Sequence, residues 1–354
     1  MKRGLVVLDP AEVPDQEWDE RIGGVRRAMA EHAVDVAFVY GDVSRSDDIA
    51  YLTNLCVYWN EGVLAVPAAG EPAFLTKLSP RVYPWMMRTS KVTDIRSGKN
   101  FAALIAAFLT DREAGTLGLI DAHLWPSDVV DEIVAAVPGW HVERLDGLVR
   151  RQRMSPSENE LALLRAGARI LDQAAGEALR EGTTPGERVE TVERALRVNG
   201  FLDLYPTSLS TSDGVTSFGV TGQYRTGWVH MSRLTGGDGW PGSLREALTE
   251  AISAAKAGVS VSDLDAAARP ALAALPEDAR AEVRWINEAD LSTGGEFRGR
   301  EEDARLELGA AGVVSVEVAF ADGGHAAVAE TVRITAGGPE YLTGATVPSG
   351  KASR

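Results

Sequence analysis

Two runs near the end of the chain, GVVSVEVAF (Gly312–Phe320) and AVAETVRIT (Ala327–Thr335), decide how the rest is read. Both are apolar and β-branched, so both read as strands, and the Gly-rich turn DGGH between them makes them neighbours. Glu317 and Glu330 stand inside these runs. A carboxylate in such surroundings is costly unless it is paired, protonated or bound to a metal. The two glutamates therefore mark either half of a site or structural ion pairs, for which Arg233 and Arg333 are the available arginines.

Working outward, composition narrows the class. A chain of 354 residues is comfortable for two domains. Its 45% apolar and 25% charged content is that of a soluble globular enzyme. A net charge of -15 argues against nucleic acid or an anionic membrane as partner, because phosphate binding wants clustered Lys and Arg. The single cysteine, Cys56, excludes an intrachain disulfide framework and a Cys-rich zinc site. No apolar run is long enough to span a membrane, and the apolar stretch after Met1 is too short for a secretory signal. A cytoplasmic protein is the expectation.

The first part alternates helix and strand. Arg21–Ala33 has helical apolar spacing, Asp35–Gly41 reads as a buried strand, and Asp47–Leu55, Gly62–Ala68 and Pro72–Thr76 read as further strands. A helix at Phe101–Leu109, a strand at Thr116–Ile120 and a helix at Asp128–Val137 complete an α/β layered domain. A boundary falls in the polar stretch RRQRMSPSENE, giving domains at 1–152 and 153–345, with a tail at 346–354. Ser155 with Glu158, Thr184 with Glu187, Ser243 with Glu246 and Ser260 with Asp263 each open a helix by a capping pattern. Strands are expected around Leu209, at Trp228–Leu234 and after Leu306, so the second domain is α+β.

In order and spacing these segments resemble the creatinase / aminopeptidase P / prolidase superfamily. RIGGVRRAMAEHAVDVAFVYG (Arg21–Gly41) and DDIAYLTNL (Asp47–Leu55) are similar to its opening segments. MSPSENELALLRAGARILDQA (Met154–Ala174) is similar to the helix that begins its catalytic domain, and EALTEAISAAKAGVSVSDLDAAAR (Glu246–Arg269) to the central helices. The resemblance implies an α/β N-terminal domain followed by a pita-bread domain, and often a homodimer. It also implies two metals held by two aspartates, a histidine and two glutamates, the last matched by Glu317 and Glu330.

The remaining ligands do not match. In TGWVHMSRLT (Thr226–Thr235), anchored on Arg233, His230 stands where an aspartate is expected. No histidine occurs between Met231 and Gly324, and Asp213 is the sole aspartate between Pro206 and Gly227. Two cations need several anionic oxygens. The expectation is therefore a hydrolase with a degenerate metal site, acting on a C–N bond of a small amide, amidine or peptide-like substrate with no cofactor. His230 is the acid/base, or else a hydrogen-bonded core histidine, and Glu317 and Glu330 orient a cationic group or a water. Arg233, Trp228 and His325 are the substrate-binding candidates. One alternative is a single Mn, Co or Zn ion on His230, Glu317 and Glu330. The other is a non-catalytic pseudo-peptidase that binds or scaffolds. Trp59, Trp228, Trp240 and Trp285 are either pocket walls or core.

Overall fold

The computed structural model describes residues 8–57, 60–180, 182–211, 213–235, 239–293 and 305–344. Trp59 and the expected tail lie outside them. The chain divides after Arg153 into two compact units.

The first unit is a six-stranded sheet between two helical layers. Its strands are β1 (Val36–Gly41), β2 (Gly62–Pro67), β3 (Ala73–Thr76), β4 (Asp94–Ser97), β5 (Thr116–Ile120) and β6 (His141–Leu145), in the order β4-β3-β2-β1-β5-β6. Every residue of β1 is buried because both faces are covered. Ala37 and Val39 pack with Val25 and Met29 of α1 (Asp15–Glu31), Ile49 and Leu52 of α2 (Asp47–Thr53), Met86 of α3 (Tyr83–Thr89) and Val149 of α6 (Leu148–Arg153). Val36 and Phe38 face the other way, toward Phe101 and Ile105 of α4 (Phe101–Leu109) and Ile133 of α5 (Ser127–Ala136).

Asp47–Thr53, read above as a strand, is the helix α2, closed by Asn54 at φ 58°. Its side chains from Ile49 to Thr53 are all buried, so no periodicity separates helix from strand in so short a run. Asp47 and Asp48 in its first turn suit the positive end of a helix. Gly62, where β2 begins, has a steric reason: a Cβ there would lie 2.1 Å from Phe74 Cζ. Gly62→Ala is expected to lower stability by about 1–3 kcal/mol through overpacking. Thermal unfolding reads this, and an unchanged midpoint would mean that Phe74 steps aside freely.

The second unit is an antiparallel sheet with helices on one face. The strands are β7 (Phe201–Ser210), β8 (Thr216–Tyr224), β9 (Gly227–Leu234), β10 (Arg280–Asn287), β11 (Ala311–Ala319), β12 (His325–Thr335) and β13 (Gly338–Tyr341). Their order is β10-β11-β12-β9-β8-β7, with β13 also on β12. The helices are α7 (Glu158–Ala178), α8 (Pro185–Val198), α9 (Trp240–Ala254) and α10 (Val261–Leu272). Capping boxes open α8 at Thr184/Glu187 and α10 at Ser260/Asp263, as their sequences specify. The box of α7 is Ser157/Glu160 rather than Ser155/Glu158. Helix α9 begins at Trp240, not Ser243, with Pro241 in its first turn.

One sheet face meets the helices. Val314, Val316, Val318, Val328, Val332 and Ile334 pack on Leu244, Leu248 and Ile252 of α9 and Leu264 of α10. Phe218, Val220, Val229 and Met231 pack on Leu161, Leu164 and Leu171 of α7 and Leu196 of α8. The opposite face carries a smaller cluster of Trp228, Val313, Ala329 and Leu291, the last from the short helix Glu288–Thr293.

Candidate functional site

The period of two along a strand fixes which side chains can meet. On β12, Glu330 is in step with Val328 and Val332, so it faces the helices. On β11, Glu317 is in step with Val313 and Ser315, so it faces away from them. The register confirms this: Val314 lies opposite Glu330 and Glu317 opposite Ala327. The two glutamates sit on adjacent strands but on opposite faces of the sheet, and no single ion or substrate joins them.

Each glutamate instead holds an arginine of this chain. Glu330 forms a two-pronged pair with Arg233 of β9: Nη1 is 2.7 Å from Oε1 and Nη2 is 2.9 Å from Oε2. Arg233 Nη2 also reaches Asp172 Oδ1 of α7 at 3.2 Å, and Nη1 donates to the Ala329 carbonyl. The Thr343 hydroxyl donates to Glu330 Oε2 at 2.6 Å, and the Gly344 amide to Asp172 Oδ2 at 2.7 Å. Burial raises the carboxyls of both Glu330 and Asp172 above their ordinary range, while the Arg233 charge opposes that rise. Arg233, expected to bind a substrate carboxylate, is thus committed to a pair of internal ones.

On the far face, Arg284 of β10 lies 3.5 Å from Glu317 Oε2 and 3.3 Å from Glu282 Oε2. Glu282 is the cross-strand partner of Glu317. Sequence reading missed it, although its alternation with Arg284 along a strand was the available signal. The cation held by Glu317 is therefore a guanidinium from the neighbouring strand.

His230 is on the far face too, between Val229 and Met231, which point to the helices. Its Nδ1 is 2.7 Å from the hydroxyl of Thr221, its cross-strand partner on β8. Its backbone is clamped by Thr331, which accepts from the His230 N–H at 2.9 Å and donates to the His230 carbonyl at 2.6 Å. Burial, and secondarily the Arg233 charge, lower its pKa from 6.5 to about 4, so the imidazole is neutral near pH 7. Thr331 lies opposite Val313, four residues before Glu317. That is a separation of about 13 Å along the strand.

The expected single-ion site on His230, Glu317 and Glu330 does not form, because the three side chains diverge in both face and position. Trp228 is 2% exposed and stacked on Tyr205 at 6.0 Å, so it is core rather than a substrate wall. Trp240 donates from Nε1 to Asp213 and Trp285 packs partly buried with the α9–α10 core. His325 is exposed where β12 begins. Cys56 is buried.

Among the described residues, one group has the makings of a metal site, and it is in the first unit. Ligand atoms of Asp121, His123 and Asp146 lie within 4.8 Å of one another. His123 Nδ1 is 3.1 Å from Asp146 Oδ1, and Asp121 Oδ1 accepts from the Gly147 amide at 2.6 Å. These bonds tie the segment after β5 to that after β6. No spacing motif marks the three residues in sequence.

Comparison with known proteins bears on the fold. Residues 21–155 match the family model of the Creatinase/Prolidase N-terminal domain. A sequence search of curated proteins finds no match. Similar solved structures include an X-Pro aminopeptidase from Thermotoga maritima MSB8, with TM-score 0.76 and 17% identity over 92% of this chain and 98% of that one. A prolidase from Pyrococcus horikoshii OT3 gives 0.70 and 16%, and an Xaa-Pro dipeptidase from Bacillus anthracis gives 0.70 and 17%, each with the same coverage. Identities this low establish the architecture. No described helix is long and apolar enough to cross a membrane.

Proposed function

We propose that this chain, which belongs by N-terminal domain and fold to the creatinase / aminopeptidase P / prolidase superfamily, is a hydrolase of small C–N-bonded compounds that works without a dinuclear metal. Its substrates would be amides, amidines or short peptide-like molecules, with His230 in contact with the reacting atoms. It would act in the cytoplasm, as a homodimer.

One observation carries the reading. Both glutamates that would be metal ligands are matched to internal arginines, Glu330 to Arg233 and Glu317 to Arg284. A covalently attached guanidinium supplies the positive charge those carboxylates need. A metal would have to compete with it for the same carboxylate oxygens. His230 keeps a neutral ring on the face away from the helices, and only Nδ1 is engaged by described residues. The peptidases named above share the fold, which supports hydrolysis as the reaction class.

The test is a screen of amide, amidine and dipeptide substrates with protein treated with a chelator. Activity is expected to survive, and His230→Ala is expected to lower kcat/KM by about 10²–10⁴, the range for a group acting on protons or charge at the reacting centre. Complete loss on metal stripping, with recovery in manganese or cobalt, would overturn the reading. The separation of His230 from Glu317 favours a second reading, a pseudo-peptidase that binds ligand on the same face without turning it over. Ligand binding lost in His230→Ala, with no turnover across the screen, would select it.

A further inference from the structure

The parallel pairing of β5 and β6 sets two aspartates side by side in the first unit. Ile120 and Leu145 end their strands next to each other, and the residues that follow them are Asp121 and Asp146. Both therefore stand at the carboxyl edge of the parallel strands, the edge at which open α/β sheets hold their ligands. His123, two residues after Asp121, reaches back to the second loop, with Nδ1 3.1 Å from Asp146 Oδ1. A carboxylate oxygen of each aspartate and a ring nitrogen of His123 all lie within 4.8 Å of one another.

The charge on Asp121 is what sets this group apart from an ordinary surface cluster. Asp121 is 7% exposed, and Glu17, at 6%, is the other buried carboxylate described in this unit. Glu17 has a counter-ion, Arg21 at 2.6 Å. Asp121 has none among the described residues. Its one hydrogen bond is from the Gly147 amide to Oδ1, so Oδ2 receives no donor. Arg45 and Arg151, on neighbouring segments, donate to the carbonyls of Leu124 and Asp146 instead. Protonating His123 would not cure the deficit, because its short contact is with the exposed Asp146 and not with Asp121. A buried carboxylate without a partner is costly, and a cation seated beside it removes that cost.

We propose that Asp121, His123 and Asp146 bind one divalent transition-metal ion, zinc, which clamps the loop after β5 to the loop after β6. Two carboxylates and one imidazole suit zinc better than magnesium or calcium, which take oxygen ligands alone, and zinc outranks manganese in affinity for such a set. Ligands about 2.0–2.2 Å from zinc stand about 3–3.5 Å from each other. The His123–Asp146 separation of 3.1 Å already meets that spacing. Asp121 is held by Gly147, and the other two side chains, 48% and 58% exposed, are free to rotate toward it. The same exposure lets water complete the coordination. None of the residues assigned to hydrolysis takes part, so this site does not rest on that reading.

The experiment is equilibrium dialysis of the full chain, stripped with a chelator, against zinc chloride at neutral pH, with bound zinc read by elemental analysis. Wild type is expected to take up about one ion per chain with saturation. Asp121→Asn, which removes the buried charge and keeps an acceptor for Gly147, is expected to weaken zinc binding by at least about tenfold, and so is His123→Gln. His32→Gln is the control. His32 Nδ1 also meets a carboxylate, Glu143 at 3.0 Å, but no third ligand joins that pair among the described residues. Its zinc binding is expected to match wild type. Uptake far below one ion per chain overturns the proposal. So does undiminished binding in His123→Gln, an exposed substitution that does not endanger folding, whatever becomes of Asp121→Asn. Equal weakening in His32→Gln overturns it as well, since zinc would then be held by surface histidines in general. Every readout is taken without substrate, so failure here is separable from failure of the hydrolase reading.

Discussion

Arg233→Ala is expected to destabilise the second unit by about 3–5 kcal/mol at pH 8, the range for stripping the partner from a buried ion pair. The reason is the count of charges on the helix-facing side of β12. Arg233 is the cation common to Glu330, at 12% side-chain exposure, and Asp172, at 7%. Without it two carboxylates face each other between α7 and the sheet. The deficit should depend on pH, with a definite sign. Burial already raises both carboxyls above their ordinary range, and Arg233 is what restrains them. Groups raised in the fold stabilise it below their unfolded pKa, about 4 for carboxylates, and that contribution is lost as pH rises through the folded value. Removing Arg233 raises them further, so the variant recovers stability as pH falls from 8 toward 5. Urea unfolding of both proteins at the two pH values reads this. A difference below about 1 kcal/mol, or one that does not change with pH, would mean that the triad is not a buried network. Glu330→Gln is the milder companion, because it keeps hydrogen-bonding atoms and leaves Arg233 matched with Asp172.

How much of this was legible in the sequence follows from which interactions are local. The caps of α8 and α10 were readable because Thr184/Glu187 and Ser260/Asp263 satisfy each other within four residues. The stripe on α9 was readable because Leu244, Ala247, Leu248, Ala251 and Ile252 repeat at helical spacing. Helix α2 was not, since its buried run shows no alternation. Pairing of Glu317 with Glu330 failed for a different reason. Whether two residues of a hairpin share a face depends on the register, and the register depends on the turn. Here Ala319 lies opposite His325, which places Glu317 opposite Ala327 and puts Glu330 three residues further along, on the other side. A turn one residue longer or shorter would have brought the two carboxylates to one face. Part of the answer was present: Glu330 alternates in step with Val328 and Val332, whereas Glu317 is out of step with Val316 and Val318. The arginine partners were less accessible. Arg233 reaches Glu330 across 97 positions of sequence, and only the strand order β11-β12-β9 brings them together.

Between pH 7 and 4, wild type is expected to lose about 3 kcal/mol more stability than His230→Gln. Burial lowers the pKa of His230 from 6.5 to about 4, and the Arg233 charge adds to the effect. A histidine depressed in the fold contributes stability above its unfolded pKa and loses it as pH falls through the folded one. As pH drops from 6.5 to 4, protons bind the unfolded imidazole and not the folded one, which pulls the equilibrium toward unfolding. Glutamine has no titrating ring, so that pull is absent in the variant. Asp172 and Glu330 act with the opposite sign, but they are present in both proteins and cancel in the difference. Urea unfolding at half-unit steps of pH separates the curves, and parallel curves would show that His230 is solvated and ordinary. The consequence reaches the chemistry. An imidazole that stays neutral down to about pH 5 puts no limb of its own on the pH profile between 5 and 8, so any fall in kcat/KM within that range must come from another group. That is the reverse of a base that has to be poised near neutrality to work.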